Sequence, residues 1–152
     1  MRGKGHRSRI VAVVCGLLWT CVFWAGPSLA SERATVEAIL VRASHQPGRA
    51  DRRLAAVESQ LRQVFQFQSY EVLGIQRQNF AITQQVRLDL GHGYAVNVHS
   101  QPGNGRIRAQ IEWFHTGTRL LNTSIHQARG VPAILGGPPH DGGTLILILQ
   151  FE

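Results

Sequence analysis

The last segment of the chain, Leu145-Ile146-Leu147-Ile148-Leu149, puts apolar side chains on both faces of any strand it forms. Successive residues of a strand point to opposite faces. Such a strand leaves water only when a layer covers it on each side. Exposed on a surface it would template aggregation. The segment therefore belongs at the centre of a sheet, and the rest of the chain has to supply the layers around it.

Most of the remaining chain reads as strands with one dry and one wet face. Val86, Leu88 and Leu90 alternate with Arg87 and Asp89, and Gly91-His92-Gly93 then turns the chain into Tyr94, Val96 and Val98, which alternate with Ala95, Asn97 and His99. A glycine loop of three residues between alternating runs is a hairpin signal. Pro102-Gly103-Asn104-Gly105 makes a second turn. Ile107, Ala109, Ile111 and Trp113 then alternate with Arg106, Arg108, Gln110 and Glu112. Further strands are expected at Thr35–Ala43, Phe67–Leu73, Gln76–Thr83, Arg119–Gln127 and Ala133–Leu135, with Gly136–Gly143 as a long loop before the last strand. Leu54, Val57, Leu61 and Phe65 recur at helical spacing, which predicts one amphipathic α-helix over residues 51–66 with Asp51 as its N-cap. Seven or eight short strands at this spacing predict a mainly β chain, an antiparallel β-sandwich or barrel with that helix packed on it. The helix stripe and Val96, Val98, Ile111, Trp113, Leu121, Ile125 and Leu147 or Ile148 are the expected core.

The first 30 residues have a different grammar. Arg2, Lys4, Arg7 and Arg9 precede an apolar run from Ile10 to Ala25, and Pro27-Ser28-Leu29-Ala30 follows. This is the pattern of a cleaved secretory signal, so residues 1–30 are read as a signal peptide and 31–152 as a single β-rich domain in the periplasm or outside the cell. The run is shorter than the ~20 residues a spanning helix needs, so no transmembrane segment is expected after cleavage. Cys15 and Cys21 leave with the signal, and the mature domain can form neither a disulfide nor a thiolate metal site. It keeps twelve arginines, no lysine and nine acids, a net charge of about +3. That balance does not point to nucleic acid, which calls for a concentrated basic stripe. Arginine without lysine points to a GC-rich, bacterial genome.

Three constellations could carry chemistry. His99 shares a wet strand face with Asn97, and His126 another with Asn122 and Ser124, so two imidazoles would converge on a metal if their strands were neighbours. No HxH or HExxH spacing accompanies them, and neither a metal nor a cofactor is expected. Ser124, His126 and Asp141 could form a hydrolytic set, since such sets are defined by geometry, but no Gly-x-Ser-x-Gly elbow is present. Arg106 and Arg108 project from one strand face, near Arg87 and Arg119, and could grip a carboxylate or phosphate. Asp89 and Glu112 are available to pair with them instead.

The tail 119–152 also carries a resemblance. Leu-Leu-Asn-Thr-Ser-Ile, a connector with Gly130, Ala-Ile-Leu-Gly-Gly, a loop and Leu-Ile-Leu-Ile-Leu together resemble the hairpin near the end of secretin-type proteins of type II and III secretion systems. The chain lacks the ring-building domains of that family, so the resemblance implies an accessory or stand-alone relative. The whole layout is also similar to small exported bacterial proteins of unassigned function.

The expectation is thus a non-catalytic exported domain that binds a protein partner in the bacterial envelope, as an accessory of a secretion or surface assembly. The alternatives are a metal-dependent or hydrolytic enzyme using His99, His126 and Asp141, and a binder of anionic lipid or glycan through Arg106 and Arg108. Expression of the full chain in a secreting bacterium should release a protein whose intact mass places Ser31 first. A mass that retains residues 1–30 would mean an anchor in place of a signal.

Overall fold

A computed structural model describes residues 32–152; the export signal read over residues 1–30 lies outside the described residues. Eight strands follow one another: β1 (Arg33–Ser44), β2 (Ser69–Ala81), β3 (Gln85–Gly91), β4 (Tyr94–Gly103), β5 (Arg106–His115), β6 (Thr118–Ala128), β7 (Ala133–His140) and β8 (Gly143–Phe151). They form two four-stranded sheets, ordered β2-β1-β8-β7 and β3-β4-β5-β6, with every neighbouring pair antiparallel. The result is an open sandwich, which decides between the two architectures that the strand spacing allowed. No helix among the described residues is long and apolar enough to cross a membrane.

The doubly apolar β8 sits between β1 and β7. One face, Leu145, Leu147, Leu149 and Phe151, packs into the interior between the sheets with Val96, Val98, Ile111 and Trp113. The other, Ile146 and Ile148, meets Leu54, Val57, Leu61 and Tyr70 in a second cluster. Its neighbour β1 repeats the arrangement, with Val36, Ala38 and Leu40 on one side and Ile39, Val41 and Ala43 on the other. Burying each Val, Leu, Ile or Phe side chain among them contributes roughly 1.5–3 kcal/mol. The molecule therefore has three layers: helical segment, first sheet and second sheet.

The helical segment is shorter than its periodicity suggests. In place of a helix over 51–66 there is a 3-10 turn at Arg52–Leu54 and then α1 (Glu58–Val64). Asp51 does cap the start, its carboxylate accepting from the Arg53 backbone N–H at 3.0 Å. The first turns are closed by tight i→i−3 bonds such as Val57 N–H to Leu54 C=O at 2.9 Å. Leu54, Val57 and Leu61 are buried as expected, and Phe65 is half-buried. Docking these side chains on Ile146 and Ile148 outweighs the local preference for one uninterrupted helix.

Two expected interruptions are not interruptions. The runs Phe67–Leu73 and Gln76–Thr83 are one strand, β2, because Gly74 is a site of close approach: a Cβ there would lie 1.9 Å from the Leu90 carbonyl oxygen. Likewise Gly136–Gly143 is not a loop. Strand β7 continues to His140, and the chain reverses at Asp141-Gly142. A Cβ at Gly137 would fall 2.4 Å from the Trp113 ring, so this glycine makes room for the indole. Leu121 and Ile125, expected in the core, are only half-buried because β6 is an edge strand.

Leu147 is fully buried between the sheets. Leu147→Asp should cost about 4 kcal/mol or more, since the carboxylate would find no partner there. Circular dichroism on heating should show a chain largely unfolded at ordinary temperature. An unchanged melting temperature would mean that β8 is not central.

Candidate functional site

The second sheet turns its dry face to the first sheet and its polar face to water, so the outward side chains of β3–β6 form the candidate surface. On β5, Arg106 and Arg108 point outward two residues apart, and both are exposed while Ile107 between them is buried. Antiparallel register brings Gln101 of β4 to one side of Arg108 and His126 of β6 to the other. Together with Asn104 of the β4–β5 turn, these residues line a cleft of about 330 Å³. A smaller hollow of about 70 Å³ continues from Arg108 along His99, Gln110 and Ser124.

The four arginines of the face do not act as one patch. Arg87 donates to the Asn97 side-chain oxygen at 3.3 Å and lies 6.0 Å over the Phe114 ring. Arg119 pairs with Glu112 at 3.3 Å. Both are toward the opposite end of the sheet: along the strands Arg87 is level with Glu112, four residues or roughly 13 Å from Arg108, and Arg119 with Phe114, six residues or roughly 20 Å. The acids that might have neutralised the other two are engaged elsewhere: Glu112 by Arg119, and Asp89 by the backbone N–H of Gly91 at 2.9 Å. Among the described residues Arg106 and Arg108 make no ion pair, and no carboxylate lines their cleft.

The histidine constellations do not assemble. His99 lies opposite Gln110, whose other neighbour is Ser124, while His126 lies opposite Arg108. Strand β5 therefore separates the two imidazoles, and they are also offset along it. Among the described residues no three His, Cys, Asp or Glu side chains are grouped to hold a metal. Asp141 is in the β7–β8 turn, at the Tyr94 end of the sandwich. Tyr94 and Gln101 bound about seven residues of β4, roughly 23 Å, so Ser124, His126 and Asp141 cannot act on one atom.

That end holds an arrangement with no signature in the sequence. The Tyr94 hydroxyl is 3.2 Å from His140 Nδ1, and His140 Nε2 is 3.2 Å from the Asp141 carboxylate. His115 stacks on the Tyr94 ring at 4.2 Å. A neutral imidazole protonated at Nε2 would face the carboxylate and accept from the phenol. Tyr94 is 3% exposed, so its hydroxyl works as a bond between the two sheets and not as a group offered to a solute. Parity placed Tyr94 on the dry face, but nothing local pairs it with a residue 46 positions away.

Burial, reinforced by the negative charge of Asp141, raises the Tyr94 hydroxyl above its ordinary value of 10. Burial likewise raises Tyr70, whose hydroxyl donates to the Phe65 carbonyl at 2.6 Å. Above pH 10 the unfolded chain releases these protons first, so folding stability should be intact below pH 10 and fall as pH rises beyond it. Urea unfolding at pH 8 and pH 11 should show that loss, and Tyr94→Phe should make it smaller while costing about 1 kcal/mol at pH 8.

Comparison of the chain with protein-family models, curated proteins and solved structures found no match in any of the three.

Proposed function

We propose that this chain is an exported, non-catalytic β-sandwich domain that binds a protein partner in the bacterial envelope and grips an acidic segment of it between Arg106, Arg108 and His126. The observation that carries the reading is that two guanidinium groups share one concave cleft that no carboxylate of the described residues lines. A guanidinium presents a planar fork of donors that matches a carboxylate with two parallel hydrogen bonds. Its strong interaction is therefore still available to a partner. Export rests on the signal pattern of residues 1–30, and the resemblance of residues 119–152 to the terminal hairpin of secretins makes a secretion or surface assembly the place to look for the partner.

The enzyme alternative lacks support from geometry, since His99, His126 and Asp141 sit on β4, β6 and the β7–β8 turn. Anionic lipid or glycan could use the same cleft. Two arginines in a hollow are fewer than the four to eight cations of a typical lipid-binding cluster. The exposed large apolar side chains, Val64, Ile75 and Val131, are not among the residues that line the cleft. A peptide carboxylate is the better fit.

Fluorescence polarisation with a labelled glutamate-rich peptide should show binding that weakens as salt rises, because the contact is charge-assisted. Arg106→Ala and Arg108→Ala should each lower the affinity about tenfold, in line with one charge-assisted bond lost. Vesicles of anionic phospholipid should bind no better than neutral ones. Peptide affinity untouched by both substitutions would end the proposal, and vesicles favoured over peptide would transfer the cleft to the lipid reading.

A further inference from the structure

The sandwich has four edge strands, and three carry devices that discourage another strand from joining them. Strand β7 contains Pro138 and Pro139, which lack the N–H a ladder needs. Strand β3 is only seven residues long and turns Arg87 and Asp89 outward. Strand β2 is overlaid at one end, where the Asp51 N–H bonds the Tyr70 carbonyl at 2.9 Å and Arg53 reaches the Val72 carbonyl at 3.4 Å, and it carries Glu71 and Arg77.

Strand β6 has one extra residue, Leu120, where Trp113 pairs with Leu121 and Phe114 with Arg119, but from Leu121 onward it has none of these. It runs for eleven residues, Thr118–Ala128, with no proline and no acid, and its one arginine, Arg119, is already paired with Glu112. Only β5 pairs with it among the described residues. Its inward side chains Leu121 and Ile125 reach the core yet remain half-exposed, as does Leu135 of the neighbouring β7. From Leu121 onward, apolar side chains and an unprotected ladder thus coincide on one edge.

The residue order along β6 selects the occupant. In an antiparallel pair of identical strands centred on Thr123, Leu121 of each chain falls opposite Ile125 of the other, so both half-exposed apolar residues gain an apolar neighbour. On the outer face Asn122 falls opposite Ser124, so no like charges oppose there. Centring one residue either way loses the Leu–Ile match. We infer that β6 pairs with β6 of a second copy about Thr123, joining two second sheets into one continuous eight-stranded sheet. A single strand pair buries well under the roughly 1,600 Å² of a standard interface, which sets the dimer in the micromolar range or weaker. The inference does not rest on the Arg106–Arg108 cleft, and Arg106→Ala and Arg108→Ala should leave it intact.

Sedimentation equilibrium of the purified protein should show a reversible monomer–dimer equilibrium. Two double variants on the exposed outer face then test the register. Asn122→Lys with Ser124→Lys sets like charges opposite each other across the twofold axis, whereas Asn122→Lys with Ser124→Glu sets opposite charges there. Both lose the Gln110–Asn122 hydrogen bond of 2.9 Å, so that effect cancels. The first pair should dimerise about tenfold more weakly than the second, with equal melting temperatures for the two monomers. A protein that stays monomeric at all concentrations overturns the inference, and so does a dimer of equal affinity in both variants.

Discussion

A strand that is apolar on both faces leaves water only with one layer above it and another below, and β1 and β8 are both of this kind. Side by side at the middle of the first sheet, they require the second sheet on one face and the helical segment on the other. The hydrophobic gain from these two strands, buried on both faces, is a concentrated term in the fold. With no cysteine in the described residues, nothing covalent assists it. The broken helix is a consequence. Leu54, Val57 and Leu61 are where they are because Ile146 and Ile148 need cover, and the backbone between them adopts 3-10 geometry to deliver them.

Once the first sheet is enclosed, polar chemistry has few places left. The second sheet is covered on one face only, and its outer face collects the alternating polar residues of four strands. Sheet register then sorts them. Arg119, opposite Phe114, reaches diagonally to Glu112 and is taken out of play, while Arg106 and Arg108, at the other end of β5, have Gln101, Gly103, His126 and Ala128 as their register partners. The same open architecture leaves an edge at β6, where the sandwich interior is half-exposed. The cleft and that edge are therefore two products of one fact: a small sandwich has more sheet than it has cover.

Close approach explains where glycine is needed inside strands. Gly74 lets β2 pass against the Leu90 backbone near the end of β3, away from the β2–β3 connection, and Gly137 gives the Trp113 ring its seat on β7. Each reads as a break when only neighbours in sequence are considered. In both cases the missing side chain is a space occupied by something distant in sequence, and the strand runs through.

The sequence by itself determined the class of fold, the inward and outward faces of β3 to β6, the glycine hairpins, the buried stripe of the helical segment and the central place of β8. These properties follow from alternation with a period of two or 3.6, which neighbouring residues set among themselves. Only the tertiary structure decided which strands are neighbours. Through that it placed β5 between His99 and His126, split the arginines into an engaged pair and an available pair, joined Tyr94 to His140 and Asp141, and left β6 at an edge. Strand order depends on contacts between residues far apart in the chain, where the closing of loops and the fit of whole faces compete. A pattern that repeats every second residue carries no information about that contest.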